Sequence, residues 1–292
     1  MKPAPFEYSR PTDLDEACAL LAADDGARLI AGGQTLVPLM AMRLARPTRL
    51  IDIARIPGLA HIRDDRDAVS IGATTRQCAV ECDPLVRARL PLLAKVMPYV
   101  GHTPTRARGT VGGSLANADP AAEIALVAMT LGATLQWREG GRSSEVEAGE
   151  FIVGPMVTSL PQAACLTAVR FPVWPDRRLG VGFHEVNARQ SDFAFVSAAV
   201  QLALDDDGCC TRVALGIGAA TAFPIRLDGD ALIGTRCEEP KVRDVVAAAL
   251  DGIEAMEDLH ASAAYRKRAA LTLAARAVVD AYQDAQKDAH AR

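Results

Sequence analysis

Two glycine turns constrain this chain more than any other feature. One is Ala31-Gly32-Gly33-Gln34-Thr35-Leu36, entered from the apolar residues Leu29 and Ile30. The other is Thr110-Val111-Gly112-Gly113-Ser114-Leu115-Ala116-Asn117-Ala118-Asp119-Pro120. Each sets two consecutive glycines beside hydroxyl or amide side chains. Glycine has no Cβ, so backbone N–H groups can come close to a bulky anion. The Thr, Gln and Ser side chains add hydrogen-bond partners for phosphate oxygens. One such turn alone is equally an ordinary tight turn after a strand. Two together suit the two phosphates of a dinucleotide.

The 292 residues are enough for two or three compact domains with a sizeable core. Half of them are hydrophobic and 23% are charged, a globular composition. The net charge of −4 gives no electrostatic case for nucleic acid or an anionic membrane. The opening residues have no apolar signal core, and no apolar run is long enough to span a bilayer. A cytoplasmic protein without membrane insertion is the expectation. Seven cysteines without a secretion signal point to reduced thiols. Their spacings match neither zinc nor iron–sulfur ligand sets, so no metal is expected on this chain.

Patterning predicts a helix from Thr12, strands at Arg28–Ala31 and Arg49–Ile53, and a strand at Ala68–Ala73. Helices are expected at Gln77–Cys82, Leu85–Met97 and Pro120–Leu131, with Asp119 as cap and Pro120 at the first helical position. Strands follow at Ala133–Trp137 and Ala164–Phe171. The pair Pro172 and Pro175 marks the best domain boundary. Beyond it, Gly182–Asn187, Ala194–Leu204 and Arg212–Ala219 read as a three-stranded meander. Helical segments at Asp228–Ile233, Val242–Met256 and Ala263–Gln283 come last. The fold class is α+β.

At these residues a family becomes recognisable. Segments 31–40 and 108–123 closely resemble the FAD-binding medium subunit of molybdenum hydroxylases, the family of the carbon monoxide dehydrogenase flavoprotein and the xanthine dehydrogenase flavin domain. Phe183–Ala194, Gly216–Ala220 and His260–Arg268 look like its later motifs, so the likeness covers nearly the whole chain. The resemblance implies an FAD-binding domain of the vanillyl-alcohol-oxidase/MurB (PCMH) type over 1–174, in subdomains of about 1–58 and 59–174. A C-terminal domain of the CO dehydrogenase flavoprotein type would follow over 176–287, with a three-stranded antiparallel sheet and a helical bundle.

The resemblance also implies site residues. Leu29, Ile30, Ala31, Gly32, Gly33, Gln34, Thr35 and Leu36 would wrap the FAD pyrophosphate and ribityl chain. Thr110, Gly112, Gly113 and Ser114 would hold its other side, with Asn117 and Asp119 close by. Glu123 stands where relatives carry an acidic cofactor contact. Leu166 and Val100 would adjoin the isoalloxazine, and His184 stands where some relatives place a lysine near it. Gln34 replaces the histidine of covalent flavoproteins, so FAD would be non-covalent. Arg106 and Arg108 read as solvated loop residues, and Arg189 with Asp192 as a structural pair.

Relatives work with a molybdopterin-binding large subunit and a small subunit holding [2Fe–2S] clusters, as a dimer of heterotrimers. Electrons would pass from the clusters through FAD to an external acceptor. The chain shows no catalytic constellation of its own, neither a His-Glu-x-x-His helix nor a Gly-x-Ser-x-Gly elbow. That fits an electron-transfer subunit, in which the cofactor carries the chemistry. The alternatives are a stand-alone flavin oxidase or reductase of the same fold, and a flavin-binding scaffold whose main role is assembly.

Overall fold

The computed structural model describes residues 2–288. The N-terminal part contains β1 (Glu7–Ser9), α1 (Leu14–Ala22), β2 (Arg28–Ile30), α2 (Leu36–Ala41) and β3 (Arg49–Asp52). Its strands form a parallel sheet in the order β1-β3-β2. Helix α1 starts where Asp13 accepts a hydrogen bond from the Glu16 amide at 2.8 Å. Its Ala17, Cys18 and Leu21 pack with Ile51 and Ile53 into a small core.

The next part opens with β4 (Ile62–Asp64) and β5 (Ala68–Gly72), then runs through α3 (Gln77–Cys82), α4 (Pro84–Arg89), α5 (Pro91–Val96), α6 (Thr103–Arg108), α7 (Val111–Asn117) and α8 (Glu123–Leu131). It closes with β6 (Thr134–Glu139), β7 (Arg142–Glu147), α9 (Ala148–Phe151), β8 (Ile152–Gly154), β9 (Val157–Thr158) and β10 (Cys165–Pro172). The main sheet is antiparallel, in the order β4-β5-β10-β6-β7. The single helix expected over Leu85–Met97 is broken. Pro91 forces Leu90 out of the helical region (φ −126°, ψ 64°), and a new helix starts at the proline. The expected helix at Pro120 starts instead at Glu123. The Asp119 carboxylate accepts from the Ala121 amide at 2.9 Å and closes a turn of its own, and Ala122 is extended.

The C-terminal part has β11 (Leu179–Asn187), β12 (Ala194–Leu204), β13 (Cys210–Gly218) and β14 (Ile225–Leu227), followed by α10 (Glu239–Ala249) and α11 (Ala263–Asp288). The expected meander gains β14 as a fourth strand, three residues long and too short to show a period. α10 stops at Ala249, so the helix expected to reach Met256 is shorter. Among the described residues, α11 lies on the sheet and α10 packs against α11.

This sheet is covered on both faces. Ala199, Ala203 and Ala214 join Val181 and Phe183 in the main core, with α8 and β10. The opposite face packs on α11, where a Cβ added at Gly182 would stand 1.9 Å from the Ala277 carbonyl oxygen. α8 is buried along its whole length, as its nearly continuous apolar sequence requires.

Candidate functional site

The first glycine turn leaves the sheet at the end of β2, where Ile30 pairs with Asp52 of β3. Gly33 adopts a positive φ of 70°. Gln34 donates its side-chain amide to the Gly32 carbonyl at 3.1 Å. Among the described residues, the backbone N–H groups of Gly32, Gly33, Gln34 and Thr35 donate to no protein acceptor. Four successive donors at a strand-to-helix turn are thus left without a protein acceptor, which is what an anion-binding turn requires.

In the second segment the amides are bonded within the protein. Thr110 caps α7 by accepting from Gly113 N–H at 3.1 Å. The Val111 amide goes to the Thr75 carbonyl, the Gly112 amide to Ala73, and the Ser114 amide to Thr110, at 2.9–3.1 Å. Gly112 is small because α7 presses on the end of β5; an added Cβ would stand 2.5 Å from that of Ala73. These amides are therefore spent inside the protein. What remains for a ligand is the exposed backbone at Gly113 and the part-exposed side chains of Ser114 and Asn117.

The two segments touch at Gly32, where an added Cβ would lie 2.5 Å from the Arg108 carbonyl oxygen. Arg106, expected in solvent, is buried. Its guanidinium pairs with the Glu81 carboxylate at 2.7 and 3.1 Å and donates to the carbonyls of Val100 and Gly101 at 3.2 and 2.8 Å. It thereby fixes the turn that carries Val100. Val100 and Leu166 are both buried in the main core, so they form a wall. Arg189 and Asp192 do pair, at 3.1 Å.

Two carboxyls follow the second segment. Asp119 is raised above the usual carboxylate range by burial. Glu123, at the start of α8, is pushed up to about 8, chiefly by burial and further by the nearby carboxylates Glu185 and Asp119.

The side chain of His184 is not brought to these residues. Its Nε2 lies 2.9 Å from an Asp280 carboxylate oxygen of α11. Successive side chains on a strand point to opposite faces. His184 therefore shares the α11 side with Gly182, while Phe183 and Glu185 turn toward the first part of the chain. Phe183 meets Tyr99 edge-on at 4.8 Å between ring centroids. Glu185 is the residue that the sequence reading missed. Strand alternation beside His184 was the signal that could have found it.

A model of the FAD-binding domain in molybdopterin dehydrogenase matches residues 4–174. A model of the CO dehydrogenase flavoprotein C-terminal domain matches residues 182–281. The chain is an FAD-binding medium subunit of the molybdenum hydroxylase family. This medium subunit is 34% identical, over 98% of its length and 97% of the relative's, to the 6-hydroxypseudooxynicotine dehydrogenase complex subunit alpha of Paenarthrobacter nicotinovorans. It is 35% identical to the caffeine dehydrogenase subunit beta of Pseudomonas sp. (strain CBB1), with 96% of each chain covered. Among solved structures it is similar to quinoline 2-oxidoreductase from Pseudomonas putida 86, with a TM-score of 0.92, 34% identity, and 98% and 99% of the two chains covered.

The medium subunit's own geometry fits FAD. The free amides from Gly32 to Thr35 suit a pyrophosphate, and the contact at Gly32 holds the second segment against them. Arg266, in the family-like segment 260–268, has a structural job. Buried, it pairs with Asp258 at 2.6 Å and donates to the Ala219 carbonyl at 2.7 Å, tying α11 to the end of β13. No helix among the described residues is long and apolar enough to cross a membrane.

Proposed function

We propose that this medium subunit transfers electrons, passing them from [2Fe–2S] clusters of a small partner subunit through its FAD to an external acceptor. A molybdopterin-binding large subunit hydroxylates the substrate in this reading, and the assembly is a dimer of heterotrimers. The run of four free amides from Gly32 to Thr35 carries the cofactor half of the reading. FAD, non-covalently bound, supplies the one- and two-electron chemistry.

The chain's residues bind and orient. The Gly32–Thr35 amides hold the pyrophosphate, helped by Leu29, Ile30, Ala31 and Leu36 along the loop. Ser114 adds a hydroxyl and Asn117 an amide from the other side, while Thr110 and Gly112 set the helix that presents them. Val100 and Leu166 wall off the ring end from water. Asp119 and Glu123 offer polar contacts where α8 begins. Residues 1–174 make up the FAD-binding domain and 176–287 the second domain of this reading, with the protein in the cytoplasm.

Purification of the chain from its native host tests this directly. Stoichiometric flavin with iron and molybdenum in co-purifying subunits is the expected result. Flavin on a lone chain that turns over a substrate supports the stand-alone oxidase or reductase instead. Folded chain without flavin removes both.

A further inference from the structure

One cavity has no role in the FAD reading. It holds about 330 Å3 and opens between the Asp119 turn, the β11–β12 loop and the segment from Met256 to Arg266. That volume is at the lower end of small-molecule sites, which run from roughly 300 to 1,000 Å3. The walls are fixed to one another. The Ala219 amide donates to the Pro120 carbonyl at 2.8 Å, and the Met256 amide to the Ala220 carbonyl at 2.9 Å. The apolar lining is aromatic. Phe195 stacks on His260, with ring centroids 5.9 Å apart and planes 12° from parallel. Phe193 also lines the cavity and is 70% exposed, an apolar ring left without cover.

The polar groups of the wall are spent, with one exception. Asp258 pairs with Arg266 at 2.6 Å, and Asp192 with Arg189 at 3.1 Å. Asp119 accepts from the Ala121 amide at 2.9 Å. The Arg266 guanidinium donates through Nη1 to the carbonyls of Phe195 and Ala219. Its Nε–H is left over. Arg266 is 2% exposed, and its Nε is buried without an acceptor. A buried donor without a partner costs free energy, which an acceptor atom in the cavity would recover. That acceptor is uncharged. A carboxylate or phosphate would meet three acidic side chains against one guanidinium that Asp258 already neutralises. An organic cation would face the guanidinium and find each wall carboxylate already partnered.

We propose that this cavity binds a small, planar, uncharged ring compound that carries a carbonyl oxygen. Its ring packs against Phe193 and Phe195, and its oxygen accepts from the Nε–H of Arg266. The step is binding alone; no bond forms and no electron moves. Asp119 is the one wall residue that the FAD reading also uses, so the site adjoins the cofactor in that reading without depending on it.

The test uses the full-length chain and coumarin, a planar fused-ring compound with a ring carbonyl, followed by calorimetry and saturation-transfer NMR. Coumarin should bind. Naphthalene, which lacks the oxygen, should bind roughly tenfold more weakly, and so should coumarin-3-carboxylate and the N-methylquinolinium cation. Phe193→Ala, at an exposed position, should weaken coumarin and naphthalene alike through the lost ring contact. Arg266→Lys keeps a charge opposite Asp258 and removes the Nε–H. It should bring coumarin down to the level of naphthalene and leave naphthalene unchanged. If that variant fails to fold, coumarin against naphthalene on the wild type still decides the donor. No coumarin binding, equal affinity for naphthalene, tighter binding of either charged analogue, or affinity untouched by Phe193→Ala overturns the proposal. The titration is then repeated on the chain saturated with FAD. Coumarin binding should survive; its loss would show the cavity to be the flavin's own and would overturn a separate site. A chain that takes up coumarin but no FAD sinks the cofactor reading alone.

Discussion

Gly32 and Arg108 lie in van der Waals contact, with room for a hydrogen at Gly32 and nothing larger: a Cβ there would sit 2.5 Å from the Arg108 carbonyl oxygen. The contact joins the free amides of the first loop to the segment that leads into α7. Gly32→Ala therefore pushes the two apart at the point where they must grip one ligand together. FAD affinity is expected to fall roughly 10- to 100-fold, the equivalent of about 1–3 kcal/mol of overpacking strain. Flavin fluorescence titration of the refolded chain measures it. Unchanged affinity in a normally folded variant would remove the first loop from the site.

The His184 side chain points at α11, where its Nε2 meets Asp280 at 2.9 Å. His184→Ala should leave the absorbance spectrum of bound flavin unchanged and cost about 1 kcal/mol of stability, the net worth of one hydrogen bond. Denaturant unfolding and a flavin spectrum on the same sample separate the two effects. A shifted flavin spectrum at unchanged stability would place the side chain against the cofactor after all.

Glu123 gives stability a pH dependence of definite sign. Its folded-state value of about 8 lies above the ordinary 4.5, so the folded chain binds the proton more tightly than the unfolded chain. This contribution is fully present below the unfolded value and is lost as pH rises toward 8. Glu185, at about 7, adds in the same direction. Glu123→Gln, which cannot ionise, should flatten the fall and be the more stable protein at pH 8, by on the order of 3 kcal/mol at about 1.4 kcal/mol per tenfold change in proton affinity. Thermal melts of both chains across this range check it, and parallel pH profiles would contradict it.

How much was legible in the sequence depended on the range of the forces involved. The first glycine turn could be read because its conformation is local: a strand ends, Gly33 takes a positive φ, and the amides that follow have no protein acceptor. The second turn has a similar sequence, yet its amides go to Ala73 and Thr75. Those partners come from the turn that follows β5, and no local pattern reveals them. Arg106 was read as solvated because its partner, Glu81, is distant in sequence. His184 and Glu185 are a subtler case. The motif located the strand, but only pairing against α11 decides which neighbour faces which side. Pro91 and Asp119 both carried readable turn chemistry, and each moved a helix boundary that apolar patterning alone had smoothed over.

Arg106 anchors the turn at Val100, and its loss should be felt in both folding and binding. Its guanidinium is buried, pairs twice with Glu81, and holds the Val100 and Gly101 carbonyls. Arg106→Ala leaves the Glu81 carboxylate part-buried without its counter-charge and two carbonyls without donors. Breaking one side of such a pair typically costs about 3–5 kcal/mol, and the side-chain exposure of Glu81, 23%, places this case toward the lower end through solvent relief. Arg106→Ala with Glu81→Gln removes the stranded charge and should recover part of that loss. FAD affinity should stay low in the double variant, because the Val100 turn still lacks its donor. Chemical denaturation of the single and double variants, with flavin titration of each, tests both halves. Full recovery of affinity along with stability would show that Arg106 serves the fold alone.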